Sequence, residues 1–166
     1  MDTQFQPSLE PAEVYERYLS RNIADPWTRV LLELVSPQFG DHVLDLACGT
    51  GSVARQVAPL VGKDGCVIAV DINPDMLKVG SKQLLPDGAA ITWHPGDATQ
   101  LDFSDNAFDI IFCQQGFQFF PDQPAAVLEM RRVLRPGGKA VVSVWQSSRA
   151  ISMPSRLSCS QTFTTP

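Results

Sequence analysis

The stretch Val43-Leu-Asp-Leu-Ala-Cys-Gly-Thr-Gly-Ser-Val-Ala54 decides how the chain is read. A short apolar run, His42 to Ala47, breaks into a glycine turn, and Ser52 to Val61 then carries a helix-like pattern. Strand, glycine turn and helix in that order form the opening unit of an α/β domain. Gly49 to Ala54 also satisfies G-x-G-x-x-A, a spacing used by dinucleotide sites. That match alone is weak, and glycines serving only the geometry of the turn would look the same. Asp45, four residues before Gly49, is more informative. A fixed carboxylate beside the loop repels a pyrophosphate and suits a ligand bearing an ammonium or a sulfonium.

The same unit recurs outward from this stretch. "CVIAVDI" reads as a second buried strand, and Asn73-Pro74 as the N-cap and first residue of a helix reaching about Leu85. "AAITWHPG" and "FDIIFCQ" read as strands three and four. Asp122 to Leu134 reads as a helix with Ala126, Met130, Val133 and Leu134 facing the core; "RPGG" ends it and "KAVVSVW" is strand five. Strands alternating with helices, each strand apolar nearly throughout, predict a doubly wound, mainly parallel sheet covered on both faces. Ligands then belong at the carboxyl ends of the strands. Upstream, residues 1–40 form a helical cap. Pro11 to Ser20 carries Val14, Tyr15, Tyr18 and Leu19 on one face. Asp25 reads as an N-cap before Pro26, followed by Trp27, Val30, Leu31, Leu34 and Val35 as an apolar stripe. The core unit spans 41–146. Residues 147–166 read as an irregular tail, because the 21 residues after Trp145 hold six Ser, three Thr and two Pro without periodicity.

Bulk properties narrow the function. The chain has 166 residues, 44% hydrophobic and 19% charged, with net charge −5 and Arg131-Arg132 as its longest basic run. Nucleic-acid partners and anionic membranes are disfavoured. No secretory signal opens the chain and no run suits membrane insertion, so a cytoplasmic setting is expected. Cys48, Cys66, Cys113 and Cys159 lack C-x-x-C spacing and read as reduced thiols; His42 and His94 read as ordinary strand-end residues, and no metal site is expected.

Two further strand ends carry carboxylates. Asp71 closes "VIAVD", twenty residues after Gly51, where a carboxylate accepts the hydroxyls of a ribose; its plainer reading is a helper at the start of the next helix. Gly96-Asp97-Ala98 follows strand three, where a carboxylate and an adjacent N–H meet an adenine edge, although alone the tripeptide is a turn.

Taken in order, "VLDLACGTG", "VIAVDINPDML", "GDATQLDF", "FDIIFCQQGFQFF" and "LRPGGKAVVSVW" resemble the five signature segments of class I S-adenosylmethionine-dependent methyltransferases. The branch resembled is methyltransferase domain type 11, which contains the ubiquinone/menaquinone-biosynthesis-like enzymes, and "YERYLSRNIADPWTRVLLELV" is similar to its helical cap. The resemblance covers about Glu10 to Trp145. It implies a Rossmann-like sheet of strand order 3-2-1-4-5 and S-adenosyl-L-methionine as cofactor. By matching position, Asp45 would hold the methionine ammonium, and Ala47, Gly49 and Gly51 would shape the pocket. Ala47 stands where many relatives have glycine. Asp71 would grip the ribose, with Ile72 and Met76 around the adenosine. Asp97 and Ala98 would meet the adenine, and Cys113 and Gln114 would close over the methionine end. Tyr15, Tyr18 and Gln118 would face a small-molecule methyl acceptor; Gln118 stands where many relatives place a histidine, so it is the one catalytic candidate. Methyl transfer is an in-line displacement governed by proximity and exclusion of water, and needs no covalent nucleophile.

The resemblance stops after strand five. Strands six and seven of the family are missing from the pattern, which leaves an apolar edge that soluble proteins normally cover. A truncated chain, a second subunit of a homo-oligomer on that edge, or the tail lying across it would each account for this. Three functions stay open at this point: a methyltransferase, a truncated domain that binds S-adenosylmethionine or its product without turnover, and a nicotinamide or flavin oxidoreductase.

Overall fold

The structure, a computed structural model, describes residues 10–85, 87–145 and 161–164. Among the described residues six strands form one sheet in the order β3-β2-β1-β4-β5-β6. Strands β1 (His42–Leu46), β2 (Cys66–Asp71), β3 (Ile91–Pro95), β4 (Phe108–Gln114) and β5 (Leu134–Ser143) are parallel to one another. This is the doubly wound, Rossmann-like order 3-2-1-4-5 that the resemblance implies. The sixth strand, β6 (Gln161–Thr164), runs antiparallel along β5, pairing Lys139 with Thr164 through Val142 with Gln161. The edge that looked bare is therefore occupied over Lys139–Val142 by the chain's own tail, and a second subunit is not needed to pair it there. The rest of the segment expected to be irregular, 147–160 and 165–166, lies outside the described residues, as does Cys159.

Both faces of the sheet are packed because the strands are apolar in both directions. One face buries Val43, Val67, Phe112 and Val141 against α2 (Asp25–Val35) and α3 (Ser52–Val61). The other buries Leu44, Leu46, Ile111 and Cys113 against Met130 and Val133 of α5 (Gln123–Val133). Caps at two helix starts follow the sequence signals: Asn73 Oδ1 accepts from the Asp75 N–H at 2.9 Å, and Asp122 Oδ1 from the Ala125 N–H at 2.9 Å. Helix α4 (Pro74–Gly80) is shorter than the span to Leu85 read from the sequence. It stops at Gly80 beside the Trp93 indole, and Leu84 beyond it is 96% exposed.

The cap departs from its sequence reading. Helix α1 (Pro11–Val14), a π-helical segment (Tyr15–Ala24) and α2 follow one another without a break. Ala24 keeps right-handed helical dihedrals and the Asp25 N–H donates to Ser20 O, five residues back. Asp25 is thus no N-cap. Wide turns precede Pro26, which has no N–H to give and would crowd a standard turn. Freed from capping, the Asp25 carboxylate accepts from Ser52 Oγ and Gln56 Nε2 on α3.

The far ends of β1 and β4 are tied by Asp109. Its Oδ2 accepts from the His42 N–H at 2.8 Å, and both its oxygens accept from Arg135 Nη1. Among the described residues no helix is long and apolar enough to cross a membrane. Partial burial works against the charge on Asp109, but the His42 N–H and the Arg135 guanidinium outweigh it and hold the carboxyl below its usual pKa. A depressed carboxylate contributes stability above its unfolded pKa that is lost as pH falls through the folded one. Asp109→Asn is expected to cost about 1 kcal/mol in urea unfolding at pH 7, since the pair is partly solvated. The gap between variant and native should shrink below about pH 4.

Candidate functional site

The carboxyl ends of β1, β2 and β4 converge on the turn Ala47–Gly51. Asp71, the last residue of β2, reaches across to it: its Oδ2 accepts from the Gly49 N–H at 2.7 Å, while Oδ1 accepts from the Asn73 N–H at 2.8 Å. From β1, Asp45 points beneath the turn, 1% exposed, and its Oδ2 accepts from the Ala54 N–H at 2.9 Å in the first turn of α3. The Tyr15 ring of the cap lies over the same turn; a Cβ on Gly49 would sit 3.4 Å from Tyr15 Cε1. Asp45, Gly49, Asp71 and Tyr15 are therefore one constellation, assembled from three elements that are distant in sequence.

The field in this constellation is negative. Burial, opposed by the Ala54 hydrogen bond and reinforced by Asp71, raises the Asp45 pKa to about 7. Burial and then Asp45 and Asp71 push the Tyr15 phenol up, and the same influences raise the Cys48 thiol. A cation entering here would relieve each of these groups, whereas a pyrophosphate would meet two carboxylates.

The remaining candidates divide by where their side chains go. Ile72 is 73% exposed beside Asp71, and Met76 is half-buried in the first turn of α4. Asp97 is exposed, its Oδ1 accepting from the Thr99 N–H and hydroxyl at 2.8 Å, which lower its pKa. The Ala98 methyl is buried in the core with Leu44 and Leu46, leaving its backbone for any ligand. Cys113 is likewise core, and burial pushes its thiol up to about 12. Gln114 is engaged by the cap: Nε2 donates to Ala24 O at 3.0 Å and Oε1 lies 2.9 Å from Thr28 Oγ1. Gln118 Nε2 donates to Gln115 O at 2.9 Å, and its Oε1 is buried with no partner among the described residues. Tyr18 is 53% exposed with the Arg17 guanidinium 5.5 Å from its ring centroid, and is not brought to the turn as Tyr15 is.

At Gly51 the clearance is taken up inside the protein. The residue's φ is +82°, and a Cβ there would collide with the Trp93 indole, 2.7 Å from Cζ3. The space is filled by Trp93 of β3, which also packs on Gly80. Sequence reasoning missed a second feature entirely. Thr50 Oγ1 donates to Glu16 Oε2 at 2.6 Å, and Arg55 Nη2 pairs with Glu16 Oε1 at 3.1 Å while Arg55 Nη1 donates to Thr50 O. Glu16 and Thr50 are buried, so this ion pair clamps the cap to the turn.

Removing one member of a buried pair strands the other. Glu16→Ala is expected to cost about 3 kcal/mol in denaturant unfolding; a cost under about 1 kcal/mol would mean the cap is anchored elsewhere. Asp45 supplies a pH test. Its folded pKa lies above the unfolded value, so the native state holds a proton that the unfolded chain has released. Stability from this group therefore falls as pH rises from about 4 to about 7. Asp45→Asn keeps an acceptor for the Ala54 N–H and has no charge to bury. Its stability relative to the native protein should rise between pH 5 and pH 8, by of order 2–4 kcal/mol, as read by thermal melts.

A model of the ubiE/COQ5 methyltransferase family matches residues 11–163. The Ubiquinone/menaquinone biosynthesis C-methyltransferase UbiE of Stutzerimonas stutzeri (strain A1501) is 39% identical over 126 residues, 75% of this chain and 49% of its own length. The chain spans about half the length of the curated relatives it matches. Among solved structures, the YcgJ protein from Bacillus subtilis is 27% identical at a TM-score of 0.64, covering 70% of this chain and 49% of its own. The [4+2]-cyclase SpnF is 26% identical, also at 0.64, covering 73% and 45%. With the family match running from the cap into β6, this chain belongs to the ubiE/COQ5 methyltransferase family.

Proposed function

We infer that the chain binds S-adenosylmethionine at the turn Ala47–Gly51 and transfers its methyl group to a small-molecule acceptor. The observation that carries this reading is the pair of carboxylates, Asp45 and Asp71, on either side of a turn whose Gly49 N–H is already held by Asp71. The residues fit the group. A buried negative field suits the ammonium and sulfonium, Asp71 offers acceptors for two ribose hydroxyls, and the exposed Ile72 and Asp97 flank the strand ends where adenosine would lie. S-adenosylmethionine supplies a methyl on a sulfonium, activated for displacement without a metal.

The chain's own residues then bind, orient and exclude water. Asp45 takes up positive charge by giving up the proton that burial favours. Tyr15 closes the turn from the cap side, and the Glu16–Arg55 clamp holds that helix in place. Gln118 holds a buried carbonyl oxygen with no partner among the described residues, which can accept a hydrogen bond from an acceptor molecule but is no general base. An acceptor that carries its own acidic proton suits this site. Relatives named as C-methyltransferases of ubiquinone and menaquinone biosynthesis support a carbon nucleophile of that class. A cytoplasmic reaction agrees with free Cys48, Cys66 and Cys113.

SpnF, named as a cyclase, shows that this fold also serves other chemistry, so binding and transfer need separate readouts. Calorimetry with S-adenosylmethionine, S-adenosylhomocysteine and NAD is expected to show micromolar binding of the first two. NAD binding without response to S-adenosylhomocysteine would overturn the reading. Binding without methyl transfer to any acceptor would leave a domain that holds the cofactor only. Asp71→Ala should weaken S-adenosylhomocysteine by about 1.5–3 kcal/mol, as for a lost hydrogen bond to a charged group.

A further inference from the structure

Two loops meet at this site, one leaving β1 and the other leaving β4, and the Ala47 methyl of the first lies against Gly116 of the second. Ala47 sits in the left-handed region at φ +55°, where an L side chain is disfavoured and glycine would be at ease. Gly116 is buried at φ −104°, ψ −34°, a conformation open to any residue. Space is what requires glycine there: a Cβ on Gly116 would overlap the Ala47 Cβ, with Cys113 Sγ at 3.6 Å. The one position that wants glycine by backbone carries a methyl, and the one that tolerates a methyl by backbone is glycine.

The segment that receives this methyl carries the acceptor-side candidate. Gln115 N–H donates to Ser143 O at 2.7 Å, Phe119 N–H to Gly116 O at 3.0 Å, and Gln118 Nε2 to Gln115 O at 2.9 Å. These bonds tie the 3₁₀ turn Phe117–Phe119 to β5 and to itself, but none ties it to β1. The Ala47 methyl, from the turn after β1, makes such a contact at Gly116.

We propose that Gly116 is a positioning residue: its bare Cα seats the Ala47 methyl, and this contact sets the gap between the cofactor turn and the turn bearing Gln118. The assignment rests on reading Ala47–Gly51 as the cofactor turn. A methyl against a bare Cα has little slack in a close-packed interior, so a shift of either loop is passed to the other.

A four-protein cycle tests this: native, Ala47→Gly, Gly116→Ala and the double variant, each measured by thermal melting, S-adenosylhomocysteine calorimetry and amide exchange. Gly116→Ala is expected to lower Tm by about 5 °C or more, as overpacking does, and to weaken S-adenosylhomocysteine about tenfold. In the double variant the displaced methyl has a vacant place, and most of both losses should return. Ala47→Gly should keep or raise Tm because left-handed strain is relieved. The same variant should bind S-adenosylhomocysteine about threefold or more weakly and exchange faster at 116–119, a split that lost stability alone would not produce. Native behaviour of Gly116→Ala, no recovery in the double variant, or unchanged affinity and exchange in Ala47→Gly would each overturn the proposal. Should Gly116→Ala fail to fold, recovery of folding in the double variant decides. A native protein that ignores S-adenosylhomocysteine would fail the cofactor reading, while additive Tm shifts across the cycle would fail the contact.

Discussion

The hydrogen bond from the Gly49 N–H to Asp71 Oδ2 joins the carboxyl ends of β1 and β2 into one rim. Parallel strands bring their ends together by topology, but the loops leaving them go separate ways unless something crosses between them. Asp71 does this with both oxygens, one on the turn after β1 and one on the Asn73 N–H that leads into α4. Left-handed Ala47, Gly49 and Gly51 turn the chain sharply enough to present that N–H. The same carboxylate puts negative charge on the rim and, after burial, adds to the rise of the Asp45 pKa from across the turn.

Negative charge alone would leave the rim exposed and screened. The cap changes that by bringing Tyr15 over Gly49 and burying Glu16 against Thr50 and Arg55. Arg55 neutralises Glu16 and moderates Asp45, yet burial remains the larger influence and keeps the Asp45 pKa near 7. A carboxyl so poised keeps much of its proton near neutral pH and ionises readily beside a cation. Trp93, wedged between Gly51 and Gly80, fixes the remaining side of the turn, so the site is built on packed aromatic and ionic contacts with the glycines serving as clearance.

Much of this was legible in the sequence wherever the signal was local. Five apolar strands, the Asn73 and Asp122 caps, and carboxylates at strand ends follow from periodicity and capping chemistry within a few residues. Asp25 misled because Asp-Pro is a sound local helix start, and only the π-wound turns before it let the helix run through. Glu16 with Thr50 and Thr28 with Gln114 pair residues 34 and 86 apart, which no window on the chain reveals. Motif position also said nothing of orientation: Ala98 and Cys113 occupy expected places, yet their side chains belong to the core. The strand at Gln161–Thr164 was hidden for the opposite reason, being four residues long in a run of serine and threonine whose order comes from the edge it joins.

Backbone strain gathers at the carboxyl ends of the two central strands independently of any motif. Among the described residues four non-glycine residues have positive φ: Ser36, Ala47, Asn106 and Gln115. Ser36 ends α2 and Asn106 sits in a turn, where such residues are common. Ala47 and Gln115 instead follow β1 and β4, the two central strands, at their carboxyl ends. Each costs about 1–2 kcal/mol and persists only where surrounding contacts over-determine it. For Gln115 these are the Ser143 carbonyl accepting from its N–H and the Gln118 amide donating to its carbonyl; for Ala47 they are the notch at Gly116 and the bond from the next residue, Cys48 N–H to Val70 O. Strain held at two neighbouring strand ends, and braced from β2 and β5, is the signature of a rim whose shape matters more than its ease.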